Sequence, residues 1–351
     1  MKNITFSEDT SGFAKKLENE VEAYFIQNKK SKTGNGMLYT KTILLAIALI
    51  AVYIVALRYE QFWLFALLGI CIGAVGFDIM HDAAHESFSK KPLLNSFLTF
   101  FGADVMGGSS VFWKWKHNYL HHTFTNVEGV DSDIGKNPIF RLAPTHPWRK
   151  FHQYQHLYCW FLYMLITLNW FYRDDFIVYK TQKIGNDSFT MKTSERTFFW
   201  MGKIIHIFFF IVVPFLVMGF EWNTVLCLLT MHASTSLLMA IIFQLAHVVQ
   251  GVSFYPPTGE GIDSWYIHEI NTTADFATHS KIVNYFAGGL NFQVEHHLFP
   301  DISHIHYPDI HTIVVKICKE YGIVHHEFPT FLSALVSHYH HLKHMGGKPT
   351  Y

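Results

Sequence analysis

Two pairs of long apolar stretches dominate the chain. Residues 40–59 and 62–80 are nearly free of charge, with Arg58 and Glu60 at the short break between them. Residues 204–220 and 225–249 repeat the arrangement around a break from Gly219 to Asn223. A helix crossing a bilayer needs ~20 mostly apolar residues, and each stretch approaches that length. The pattern therefore predicts an all-α integral membrane protein whose four transmembrane helices form two hairpins. Two shorter apolar segments, 92–106 and 157–171, read as interfacial or re-entrant helices, the first interrupted by Asn95 and Asp104. An N-terminal segment (1–39), a membrane domain (40–320) and a C-terminal tail (321–351) follow from this division.

Charge gives the pattern an orientation. Lys90, Lys91, Lys114, Lys116, Arg149, Lys150, Lys180 and Lys183 lie between the hairpins, and the N-terminal segment is also basic-rich, whereas the hairpin breaks carry almost no basic residues. Basic loops stay cytosolic, so the expectation is a cytosolic N-terminal segment, a cytosolic C-terminal tail and a cytosolic helical cap between the hairpins. The membrane itself is expected to be a bacterial plasma membrane or an endoplasmic reticulum. The first forty residues hold charges throughout and no compact apolar core of a secretory leader.

Composition agrees with lipid. Apolar residues make up 50% of the chain and charged residues 15%, below the roughly 25% of soluble domains. A net charge of zero and no basic stripe interleaved with aromatics argue against a nucleic-acid partner. Four scattered cysteines, Cys71, Cys159, Cys227 and Cys318, give neither a disulfide framework nor a thiolate metal site.

Histidine is the anomaly: 24 residues, against 27 Lys and Arg together. His81 and His85, in HDAAH, follow the second apolar run. Residues four apart on an α-helix are offset by about 40°, so both imidazoles can meet one metal. His117, His121 and His122, in HNYLHH, repeat the spacing, and adjacent residues diverge by about 100°, which lets two histidines straddle two ions side by side. In QVEHH, Gln293 precedes His296 and His297 with an amide in place of one imidazole; its oxygen is a weaker ligand or holds a water. His247 closes the fourth apolar run at the same expected depth as His85. Imidazole suits iron, copper, zinc and nickel, but so many neutral nitrogen donors do not make a closed tetrahedral zinc site. Dioxygen chemistry at two irons fits better.

HDAAH, HNYLHH and QVEHH, in this order after hairpins, resemble the histidine boxes of membrane fatty acid desaturases, over roughly residues 40–320. HHTFTNVEGVDSDI, HVVQG, TTADF and HHLFPDISHIHYP extend the resemblance, and glutamine in the third box is similar to the front-end subgroup, which works between an existing double bond and the carboxyl end. The resemblance implies two iron ions held by His81, His85, His117, His121, His122, His247, Gln293, His296 and His297. Metal-bound imidazoles need partners on their other nitrogen, and Asp82, Asp131, Asp133, Asp275 and Glu295 are the candidates.

It further implies dioxygen as co-substrate and a cis double bond introduced into a fatty acyl-CoA or acyl-lipid, with delta-6 or delta-5 regioselectivity. No haem domain of the cytochrome kind fused to many front-end enzymes is read here. HMGG at 344–347 matches only a fragment of its motif, so electrons are expected from a separate ferredoxin or cytochrome-type haem protein with its reductase. A histidine-box hydroxylase is the nearest alternative. A membrane metal transporter is a distant one, since its ligands belong at mid-bilayer. His338, His340, His341 and His344 fit no box spacing and read as a solvated helix face.

Overall fold

A computed structural model describes residues 4–135, 138–185, 187–258 and 261–349. Among them, four helices are long and apolar enough to cross a membrane: Gly36–Tyr59, Phe62–Ala84, Thr193–Met218 and Trp222–His247. The expected hairpins are present, with bounds shifted by four residues at one end of each helix in the first pair and by up to eleven in the second. The third helix begins eleven residues earlier than its apolar run, because Thr193–Lys203 continues the same helix with a polar first turn in which Glu195 accepts from the Lys192 backbone N–H (2.7 Å). Ile43, Ile47, Ile50 and Ile54 form an exposed stripe at helical spacing along the first span, the pattern of a helix that faces lipid.

The second and fourth spans pack most intimately. Thr235 donates to the Gly69 carbonyl at 3.0 Å, and a Cβ on Gly69 would lie only 2.3 Å from the Met231 carbonyl oxygen. Small residues at such crossings let backbones approach where lipid supplies no hydrophobic drive. Asn223 donates to the Glu60 carbonyl (3.5 Å), so both hairpin turns lie at one end of the bundle. His81 and His247 consequently lie at the other end. Inside the bundle Lys41 of the first span pairs with Asp78 of the second.

At that end the remaining segments form a helical cap. The N-terminal helix Phe13–Gln27 buries Phe13, Leu17, Val21 and Phe25 against Ile310, Val314 and Ile317 of the helix Tyr307–Tyr321. Residues 92–105 are helical and 155–181 form a broken series of short helices; none is long enough to span. The helix Phe331–Gly346 is not a solvated tail. His338 and His341 are buried, the former contacting the Val248 carbonyl (2.7 Å) and Tyr163 (2.9 Å), the latter the Leu142 carbonyl (2.8 Å). His340 and His344 are exposed, so the solvated-face expectation holds for them and fails for His338 and His341, which the packing of the helix buries.

Candidate metal centre

The three boxes and His247 converge. His81 begins one turn of α-helix that follows a π-helical stretch, Gly76–Met80, and His85 lies at its C-cap. The second box is itself π-helical from Trp115 to His121, and the His122 N–H donates to the His117 carbonyl at 3.0 Å. This wider turn changes the expected pairing. A π-turn brings residues five apart onto neighbouring faces, so His117 and His122 bring their Nε2 atoms to 3.2 Å, while His121 turns to His247 (3.3 Å). The third box occupies the helix Gln293–Leu298, reached through two glycines in left-handed conformation. A Cβ on Gly288 would come within 2.5 Å of the Phe77 carbonyl, so only glycine lets this loop close onto the second span.

Ligand atoms fall into three sets, each within 4.8 Å: His81, His85, His117 and His296; His121, His247 and His297; and His122, His296 and His297. All but the half-buried His85 are buried. Gln293 joins the second set, its amide 2.9 Å from His247 Nε2. His81 and His117 hold their Nε2 atoms 3.1 Å apart. Imidazoles bound about 2.1 Å from one ion at right angles have nitrogens about 3 Å apart, so the observed spacings are those of neighbouring ligands. The Nε2 atoms of His85, His296 and His297 and the Oε1 of Gln293 are buried and have no hydrogen-bond partner, a cost that metal ions between them would remove. Burial, reinforced by neighbouring imidazoles, holds His117, His122, His296 and His297 well below the ordinary histidine range, keeping them in the neutral form that binds metal.

The outer partners sort differently from the five candidates. Asp131 accepts from His121 Nδ1 (3.2 Å) and from the Asn126 N–H (2.8 Å), and Asp133 lies 3.6 Å from the same imidazole. Burial disfavours the charged His121 ring, but these carboxylates outweigh it and raise its pKa to about 9. Asp82 instead holds Ser303 (2.6 Å) and His304 (2.9 Å), locking the loop after the third box to the end of the second span. Asp275 and Glu295 face His311.

Three partners escaped the sequence. Glu269 takes His297 Nδ1 at 2.7 Å, Tyr307 lies 3.2 Å from His296 Nδ1, and the Thr272 carbonyl lies 3.4 Å from His247 Nδ1. Burial pushes Glu269 well above the usual carboxylate range, and metal held by His297 would supply the opposing charge. Asn126 links the second box to the fourth span, donating to the carbonyls of His247 (3.0 Å), Ser253 and Thr272 (both 3.2 Å). Its signal in the sequence is slight: an asparagine after a box, at a left-handed turn (φ 56°).

A buried polyhistidine cage at the end of two membrane hairpins defines a class of membrane metalloprotein, and comparison with known proteins gives the family. The fatty acid desaturase family matches residues 32–329, and the chain belongs to it; it is a membrane oxidoreductase, a fatty acyl desaturase. Among its relatives is the sn-1 linoleoyl-lipid 6-desaturase of Arthrospira platensis, 34% identical over 99% of this chain and 95% of its own length. The protein of the same name from Synechocystis sp. is 34% identical over 95% and 96%. The acyl-lipid (8-3)-desaturase of Physcomitrium patens is 36% identical over 94% of this chain and 71% of its own.

Proposed function

We propose that this chain is a front-end desaturase that inserts a cis double bond into an already unsaturated acyl chain carried by a lipid. The observation that carries the catalytic part is the cage: eight histidines and Gln293 brought together, with the Nε2 atoms of His85, His296 and His297 and the Oε1 of Gln293 buried and unpaired. His81, His85, His117, His121, His122, His247, Gln293, His296 and His297 would hold two iron ions. Iron there supplies the dioxygen activation and the oxidising power to remove hydrogens from adjacent methylenes, using electrons from a separate ferredoxin or haem protein. The chain's own part is geometric. Asp131, Glu269, Tyr307 and the Thr272 carbonyl fix the orientations of His121, His297, His296 and His247 through Nδ1, so that the Nε2 of each of these four points inward.

The lipid carrier and the front-end position rest on the relatives' names, which specify linoleoyl-lipid 6- and acyl-lipid (8-3)-desaturation. Basic residues between the hairpins support a cytosolic cage. The cage lies at the ends of the spans and not in mid-bilayer, which speaks against transport.

The test is gas chromatography with mass spectrometry of lipids from a host expressing the chain and fed linoleic acid, beside His296→Ala. A new fatty acid lighter by two hydrogens and absent in the variant is expected. A product heavier by one oxygen would instead establish the hydroxylase.

A further inference from the structure

Asp275, Glu295, His311 and His325 each place one ligand atom within 4.8 Å of the others, apart from the histidine cage. They come from four segments. Asp275 lies in a short strand paired in parallel with Glu327–Phe328, Glu295 on the third-box helix, His311 on the helix Tyr307–Tyr321, and His325 just before the partner strand. Both carboxylates are fully buried, and the His325 side chain is 8% exposed.

Their contacts are close but incompletely satisfied. His311 Nδ1 lies 3.1 Å from Glu295 Oε1 and 3.2 Å from Asp275 Oδ2, and His325 Nε2 lies 3.0 Å from Asp275 Oδ2. Yet Asp275 Oδ2, Glu295 Oε2 and His325 Nε2 make no aligned hydrogen bond. The other Asp275 oxygen is already used, accepting from the Val294 N–H at 2.9 Å. Donor atoms about 3.0–3.4 Å apart and not aligned for hydrogen bonding are what ligands of one ion show when bond lengths are about 2.0–2.2 Å. Charge points the same way. Two buried carboxylates call for two positive charges, and a divalent cation provides them while leaving both imidazoles neutral.

We propose that Asp275, Glu295, His311 and His325 form a second metal site, for a single divalent transition ion of the zinc kind. Two nitrogens and two carboxylate oxygens make a closed four-coordinate set with no protein-free position, so the site is structural. Its ion ties the third-box helix to the strand Asp275–Phe276, to the helix Tyr307–Tyr321 and to the C-terminal loop.

The test is elemental analysis for all first-row metals on the full chain purified in mild detergent, comparing wild type with His325→Gln and with His81→Ala. The wild type is expected to hold about one divalent ion beyond those of the cage. His325→Gln should lose that ion and keep the cage metal, whereas His81→Ala should lose cage metal and keep it. X-ray absorption at the edge of the additional metal gives a readout in unmutated protein: nitrogen and oxygen neighbours at about 2.0–2.2 Å and no sulfur. Wild-type protein without an ion beyond the cage, or a well-folded His325→Gln protein with unchanged metal content, would overturn the proposal.

Discussion

His297 Nδ1 lies 2.7 Å from the Glu269 carboxylate, and Thr125 donates to the same oxygen at 2.8 Å. The third box is thereby anchored, through one carboxylate, to the segment that follows the second box. Glu269→Gln keeps the shape and removes the charge that raises imidazole basicity. Iron affinity or desaturation is expected to fall about 10–100-fold, measured by metal content and product formed per folded protein. Unchanged values in both would show that Glu269 acts only as packing.

Asp131 has two duties, holding His121 Nδ1 and the Asn126 N–H. Asp131→Asn keeps an acceptor but loses the charge opposite His121, so a comparable loss of iron is expected. Asp82→Asn, which touches Ser303 and His304 and no cage imidazole, should lower thermal stability more than it lowers metal content per folded molecule.

Removal of metal should itself destabilise. The unpaired Nε2 atoms of His85, His296 and His297 and the Oε1 of Gln293 become uncompensated when the cage is stripped. Chelation of the detergent-solubilised protein is expected to lower its melting temperature by several degrees, roughly the effect of losing about 2–4 kcal/mol of binding linkage. Re-addition of ferrous iron should restore it.

Gly69→Ala tests the crossing of the second and fourth spans. The new methyl would lie 2.1 Å from Ser234 Oγ and 2.3 Å from the Met231 carbonyl, and backbone cannot yield cheaply. A loss of about 1–3 kcal/mol is expected, read as a lower melting temperature with metal content per folded molecule intact.

Lys41 and Asp78 form a buried pair between the first two spans, and Lys41 also donates to the Tyr285 carbonyl. Removing one partner strands the other, so Lys41→Met alone should destabilise by about 3–5 kcal/mol. Lys41→Met combined with Asp78→Leu should recover most of the loss. Equal melting temperatures for the single and double variants would refute the coupling.

The sequence by itself determined the elements. Runs of ~20 apolar residues can be stable in lipid only as helices, because every backbone group must be satisfied within the segment. Four spans in two hairpins followed directly. The clustered histidines were equally legible, because chemistry that needs several imidazoles leaves them at short, regular spacing.

What only the tertiary structure decided was pairing. Along the second box the π-turn sets His117 with His122 and sends His121 to His247, a choice invisible to α-helical counting. Glu269 and Tyr307 reach the cage from segments 28 and 11 residues away from their histidines in the chain, and no local pattern encodes such contacts. Glu295, expected to support a cage imidazole, faces His311 instead because adjacent residues on the third-box helix point in different directions, and Asp275 faces the same imidazole from the strand Asp275–Phe276. A hydrophobic pattern specifies which face of an element is buried; which buried polar group meets which is fixed only when the elements pack.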